Sequence, residues 1–116
     1  MFDQSRYQPR LQPPIIDDRR TSEDKAATWG FVVATDSFMS GWGMSPRRSL
    51  FAVPVINHKQ AEIVLGNMHL RSEMKRARIV GANYRPRLQP GDHLSIRSMS
   101  DCSRFYEPGG FAAKRA

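Results

Sequence analysis

"SLFAVPVINHKQAEIVLGNMHLR", residues 49–71, changes its hydrophobic period halfway. Its first eight residues are apolar on both alternating faces, the pattern of a strand. From Asn57 onward the apolar positions Ala61, Val64, Leu65 and Met68 recur at i, i+3, i+4 and i+7, the stripe of an amphipathic helix. Asn57 is a good N-cap and Gln60, three residues on, stands where a capping box places its second partner. Lys59, Glu62 and Arg71 fall off the stripe. The spacing therefore predicts a strand over 49–56 and a helix over about 58–72, with Gly66 as a weak point costing ~1 kcal/mol. Pro54 cannot donate to a ladder, so the strand is expected at an edge there, or to end near it.

Working outward, "WGFVVATDSF" from Trp29 to about Phe38 also carries two apolar faces: Trp29, Phe31 and Val33 on one, Val32 and Ala34 on the other. Strands adjacent in sequence usually pair, so 29–56 is expected to form an antiparallel hairpin with a long connection. Downstream, "RARIVG" (76–81) reads as a third strand. "HLSIRS" (93–98) reads as a fourth, with Leu94 and Ile96 toward the core and His93, Ser95 and Arg97 outward. Between them "QPGD" is a tight turn in which Pro90 presets φ and Gly91 supplies φ > 0. "CSRFYE" either extends the sheet or packs Phe105 and Tyr106 beneath it. The expected architecture is β-β-α-β-β, an α+β domain with one helix on a mostly antiparallel sheet.

That domain is expected over 27–107. Residues 1–26 contain Pro9, Pro13 and Pro14 and no sustained period, and read as a flexible or extended N-terminal arm. "PPII" at 13–16 is the one sticky spot in it, able to lie against the domain as an added edge segment. "PGGFAAKRA" (108–116) reads as a C-terminal tail.

The bulk numbers narrow the function. The 116 residues leave room for one small domain. No apolar run approaches the roughly 18 residues a membrane helix needs. The polar, proline-broken N-terminus does not read as a secretory signal. One cysteine, Cys102, excludes an internal disulfide and fits a reducing cytoplasm, while three scattered histidines offer no metal-ligand spacing. No G-x-S-x-G, H-E-x-x-H or phosphate-cradling glycine loop is present, and "GWGMSP" lacks the lysine and threonine of a P-loop. No catalytic, cofactor-binding or metal-binding residue is therefore nominated, and the chain is expected not to be an enzyme; a small hydrolase is kept as an alternative.

Charge is the feature left over. The net charge is +7, yet residues 1–26 hold five basic and five acidic side chains, so the whole excess lies beyond them. Residues 71–87 carry Arg71, Lys75, Arg76, Arg78, Arg85 and Arg87 against Glu73 alone. Tyr84 interleaves an aromatic ring with these cations, a combination suited to phosphate tracking with base stacking. The plain structural alternative is that arginine stems cover apolar sheet surface and snorkel to water. A second candidate is the hairpin loop "TDSFMSGWGMSPRRS" (35–49), where Trp42 lies between two glycines ahead of Arg47 and Arg48. Trp42 can cap the core, stack a base or anchor an interface; the reading adopted is a partly buried ring whose exposed edge helps form the partner surface. No helix-turn-helix, zinc finger or RRM signature supports specific base reading. The expected partner is nucleic acid, or an acidic protein or nucleoprotein surface, with no membrane and with a dimer left open.

"ATDSFMSGWG", the basic "RRSL", "RSEMKR" and "PGDHLSI" together resemble a family of short proteins carried by bacteriophages, plasmids and integrative elements of Gram-negative bacteria. The resemblance covers about 28–107. It implies a mobile-element setting in a bacterial cytoplasm and no particular chemistry. By analogy with other small mobile-element proteins it implies either an accessory nucleic-acid binder or a protein-binding inhibitor of host defence, of the anti-CRISPR kind, without direct nucleic-acid contact. "QPGD" before a strand also occurs in PUA-like and ASCH barrels, but the chain has too few strands for one.

Overall fold

The computed structural model describes residues 13–36 and 48–112. Trp42 and Arg47, with the rest of the hairpin connection, lie outside the described residues. Five strands form one mixed sheet: β1 Ile15–Asp18, β2 Gly30–Asp36, β3 Ser49–Val55, β4 Met74–Gly81 and β5 His93–Ile96. Their order across the sheet is β1-β5-β3-β2-β4. Three helices accompany it, α1 Ser22–Ala27, α2 His58–His69 and α3 Ser103–Tyr106, the last preceded by a 3-10 turn at Met99–Cys102. The α+β class and the mostly antiparallel pairing agree with the expected architecture. The expected β-β-α-β-β order is β2-β3-α2-β4-β5. β1, α1 and α3 are additions to it.

The β2–β3 hairpin forms in antiparallel register, Gly30 opposite Val55 through Thr35 opposite Leu50. Because both faces of these strands are apolar, the sheet carries two cores. On the first face Val32, Ala34, Val53 and Val55 meet Ala61, Val64 and Met68 of α2, together with Cys102 and Phe105. On the second, Phe31, Val33, Leu50, Ala52, Leu94 and Ile96 cluster, with Val80, Tyr84 and Leu88 packed against them. Phe105 packs beneath the sheet, its ring centroid 5.7 Å from that of Phe51.

α2 begins where its residues dictate. The Asn57 Oδ1 accepts from the Gln60 N–H at 2.7 Å, and the Gln60 Oε1 reaches back to accept from the Ile56 N–H at 2.8 Å. The return bond lands one residue earlier than a standard capping box requires. α2 ends at His69, short of the expected residue 72.

Pro54 is accommodated by a change of neighbour along β3. Between Ser49 and Ala52 the strand lies between β2 and β5, but its pairing with β5 stops at Ala52 opposite Ile96. The Pro54 carbonyl accepts from the Tyr106 hydroxyl at 2.6 Å, so this side of the residue faces a side chain and no strand. β3 is central at one end and locally an edge at the other, where a missing N–H costs no ladder bond.

Within the span read as an N-terminal arm, β1 pairs in parallel with β5, from Ile15 opposite His93 to Asp18 opposite Ile96. α1 follows, closed by a capping box in which Thr21 Oγ1 accepts from Asp24 N–H at 3.0 Å and Asp24 Oδ2 from Thr21 N–H at 3.2 Å. The same carboxylate accepts from the Met99 N–H at 3.0 Å, fastening α1 to the 3-10 turn, and this bond holds the Asp24 carboxyl below its usual range.

Candidate nucleic-acid interface

β4 is the last strand of the sheet on its side among the described residues, and it carries Lys75, Arg76 and Arg78. Its pairing with β2 runs from Gly30 opposite Gly81 to Val33 opposite Arg78, then shifts by one residue before Thr35 opposite Lys75. The extra residue makes a bulge, and beside it Arg76 adopts φ 57°, the left-handed region in which a non-glycine residue is uncommon. Alternation places Arg78 with Val80 on the second face, while Ala77 and Ile79 pack on the first. The bulge removes Arg76 from that alternation.

Tyr84 returns toward this strand through a turn whose N–H donates to the Gly81 carbonyl at 3.1 Å. Arg78 Nη2 donates to the Tyr84 hydroxyl at 3.1 Å, and its guanidinium carbon lies 5.8 Å from the ring centroid. Arg85 donates to the Tyr84 carbonyl at 2.9 Å. Tyr84 thus joins the cations of the strand to those of the loop.

Two other nominated arginines, Arg48 and Arg71, have structural partners. Arg48 reaches Asp92 Oδ2 at 3.1 Å and the Arg87 carbonyl at 2.9 Å. The same buried carboxylate accepts from the Gln89 N–H at 2.8 Å and closes the "QPGD" turn, where Gly91 has φ 89°. Arg71 is held by Glu73 at 2.6 Å and stacks over Phe111 at 4.7 Å, on the first face beyond α2. Arg19, Arg20 and Arg97 also each sit within 4 Å of a carboxylate. By contrast, no carboxylate of the described residues lies in ion-pair range of Lys75, Arg76, Arg78, Arg85 or Arg87. Among the described residues, five cations without an ion-pair partner therefore line one sheet edge and the loop that follows it. A bulge and exposed basic side chains also guard a sheet edge against pairing with another chain, so the arrangement has a structural use whatever it binds.

Among the described residues no three His, Cys, Asp or Glu side chains cluster as metal ligands. Cys102 is fully buried, and burial pushes its thiol up to about 12 from 9.0; burial likewise raises the neighbouring Tyr106 hydroxyl. A thiol so placed is a poor nucleophile. Native protein is accordingly expected to resist alkylation by iodoacetamide at pH 8 on a timescale at which the unfolded chain reacts completely. Both groups have folded-state values above their unfolded ones, so their contribution is intact below pH 9 and is lost as pH rises toward 12. Each ionising only in the unfolded chain removes about 1.4 kcal/mol per pH unit above its unfolded value. A chemical-denaturation series from pH 8 to 11 checks this, and a flat or rising stability would contradict it.

Charge and spacing did not reveal Trp29. It was expected on the face of Phe31 and Val33, yet those two are buried and Trp29 is 46 % exposed. The strand begins one residue later, at Gly30, so the alternation does not extend to the indole. No helix of the described residues is long and apolar enough to cross a membrane. No family model, curated protein or solved structure matches the chain.

Proposed function

We propose that this chain is a non-enzymatic binding protein that takes nucleic acid, free or within a host nucleoprotein complex, along the β4 edge and the 82–88 loop. The setting that goes with this reading is the cytoplasm of a bacterium carrying a mobile element. The observation that supports it is the contrast between the carboxylate-paired arginines elsewhere and the five cations of this edge. Cations not paired with a carboxylate of the described residues are available to replace the counterions of a phosphate backbone. Tyr84, half-buried and in contact with Arg78, adds a ring beside them. Backbone tracking of this kind needs no base-reading helix.

Reversal of Arg76 and Arg78 to glutamate tests the reading. Both side chains are exposed, so stability is expected to change by less than about 1 kcal/mol. Nucleic-acid affinity at low salt is expected to fall by about a hundred-fold, with the slope of log K against log salt smaller by about 2. An unchanged affinity would reject the edge as the interface. If the parent binds no nucleic acid at low salt, the same cations are better assigned to an acidic protein surface, the setting of a defence inhibitor.

A further inference from the structure

We infer that the bulge of β4 is a phosphate site closed by Arg76 and Arg78, and that Arg76 is kept there for that contact against its backbone preference. The inference rests on the nucleic-acid reading above and locates where the edge grips its ligand. Val33 stands opposite Arg78 and Thr35 opposite Lys75, so Arg76 and Ala77 together face Ala34 alone. Two residues against one, the first of them at φ 57°, is the bulge whose first position ordinarily takes glycine. The other left-handed positions among the described residues, Gly91 and Gly109, are both glycine. Arg76 breaks that pattern, and an L side chain is strained in this region.

No polar contact of the Arg76 side chain among the described residues offsets that strain. The residue is exposed, and no described carboxylate lies in ion-pair range of it. Guarding the sheet edge does not require an arginine here, because glycine would keep the bulge, and Lys75 and Arg78 already supply charge. The backbone of Arg76 is meanwhile tied to its neighbour. Arg78 Nη1 donates to the Arg76 carbonyl at 3.4 Å, and Arg78 Nη2 to the Tyr84 hydroxyl at 3.1 Å. The Arg78 guanidinium is thus seated between the bulge and the 82–88 loop, directly beside Arg76. Like charges on neighbouring positions of a sheet repel. An anion that both side chains reach removes the repulsion, and the oxygens of a phosphate match the fork of a guanidinium. A strained backbone position, an exposed cation at it and a second cation seated against it are what a phosphate site at the bulge requires.

The test compares full-length parent, Arg76→Gly and Arg78→Ala. Melting is followed in inorganic phosphate and in chloride at matched ionic strength, and binding by fluorescence anisotropy on a labelled oligothymidylate. Arg76→Gly is expected to melt about 2–6 °C above the parent, since glycine relieves the left-handed strain. It is also expected to bind the oligonucleotide at low salt about ten-fold more weakly, or worse. Arg78→Ala, at an unstrained position, should lose binding to a similar degree with no gain in melting temperature. Inorganic phosphate should raise the melting temperature of the parent more than that of either variant. Oligonucleotide affinity of Arg76→Gly within two-fold of the parent, or a melting temperature no higher than the parent's, overturns the inference while leaving the cationic edge in place. A parent stabilised by phosphate through Arg76 that binds no oligonucleotide upholds the site, gives it to a free phosphate or a small phosphate ester, and overturns the nucleic-acid reading. A parent that responds to neither overturns both.

Discussion

Replacing Asn67 by alanine is expected to destabilise the protein by about 3–5 kcal/mol, a large share of the 5–15 kcal/mol that holds a domain together. Asn67 lies on the buried side of α2 and is 1 % exposed. Its Nδ2 donates to the carbonyls of Phe105 at 2.7 Å and Glu107 at 2.8 Å, and its Oδ1 accepts from the Phe111 N–H at 3.3 Å. One side chain thereby satisfies three backbone groups of the C-terminal segment. Alanine removes all three bonds and strands polar groups away from water, which costs more than the bonds themselves contribute. Phe111, whose ring lies 4.7 Å from the Arg71 guanidinium and 4.3 Å from that of Arg104, would lose the anchor that sets it there. Asn67→Asp is expected to be as damaging although its size is conserved, because a carboxylate cannot donate and would face two carbonyl oxygens. Urea unfolding of both variants measures this. A loss below about 1 kcal/mol in either would mean that the C-terminal segment is held by other contacts.

Removal of residues 1–27 is expected to cost at least about 3 kcal/mol, summed over the ladder bonds and tertiary contacts that go with them. β1 supplies the parallel partner of β5, with Ile15 N–H donating to the Asp92 carbonyl at 3.0 Å and Arg19 N–H to that of Ile96 at 2.9 Å. Arg20, clamped by Asp18, stacks 4.9 Å over the ring of buried Phe31. Without these residues β5 becomes an open edge. The truncated protein is expected to melt at a clearly lower temperature and to aggregate on heating. In the intact protein, tryptic cleavage at Arg19, Arg20 and Lys25 should be slow relative to the unfolded chain. Retention of the parent melting temperature after truncation would show that β1 and α1 lie on the sheet without stabilising it.

What could be read in advance follows the range of the interactions. α2 was legible because its cap and stripe are local: Asn57, Gln60 and the Ala61–Met68 spacing are separated by a few residues. The β2–β3 hairpin followed from two apolar runs adjacent in sequence, and the inward set of β5, Leu94 and Ile96, from simple alternation. The parallel pairing of β5 between β1 and β3 was not legible, since a four-residue strand takes its place from packing across the fold. "PPII" at 13–16 marked an added edge segment, while polar Asp17 to Asp24 concealed the turn, cap and helix that follow.

The candidate site divides in the same way. Charge counting found Lys75, Arg76, Arg78, Arg85 and Arg87 as a group. It could not separate them from Arg48, whose partner Asp92 is 44 residues away. Asn67 looked like an ordinary polar helix residue, because its partners lie 38 to 44 residues downstream. Exposure of Trp29 depends on where β2 begins, a boundary that alternation alone does not mark.

The salt dependence of binding by the parent protein tests the cationic edge most directly. A labelled single strand is titrated at several salt concentrations between about 25 and 200 mM, and log K is plotted against log salt concentration. Five phosphate-contacting cations, each contributing about 0.7–0.9, give an expected slope of about −3.5 to −4.5. A slope near zero, or no binding at the lowest salt, would contradict the assignment of Lys75, Arg76, Arg78, Arg85 and Arg87 to a phosphate backbone.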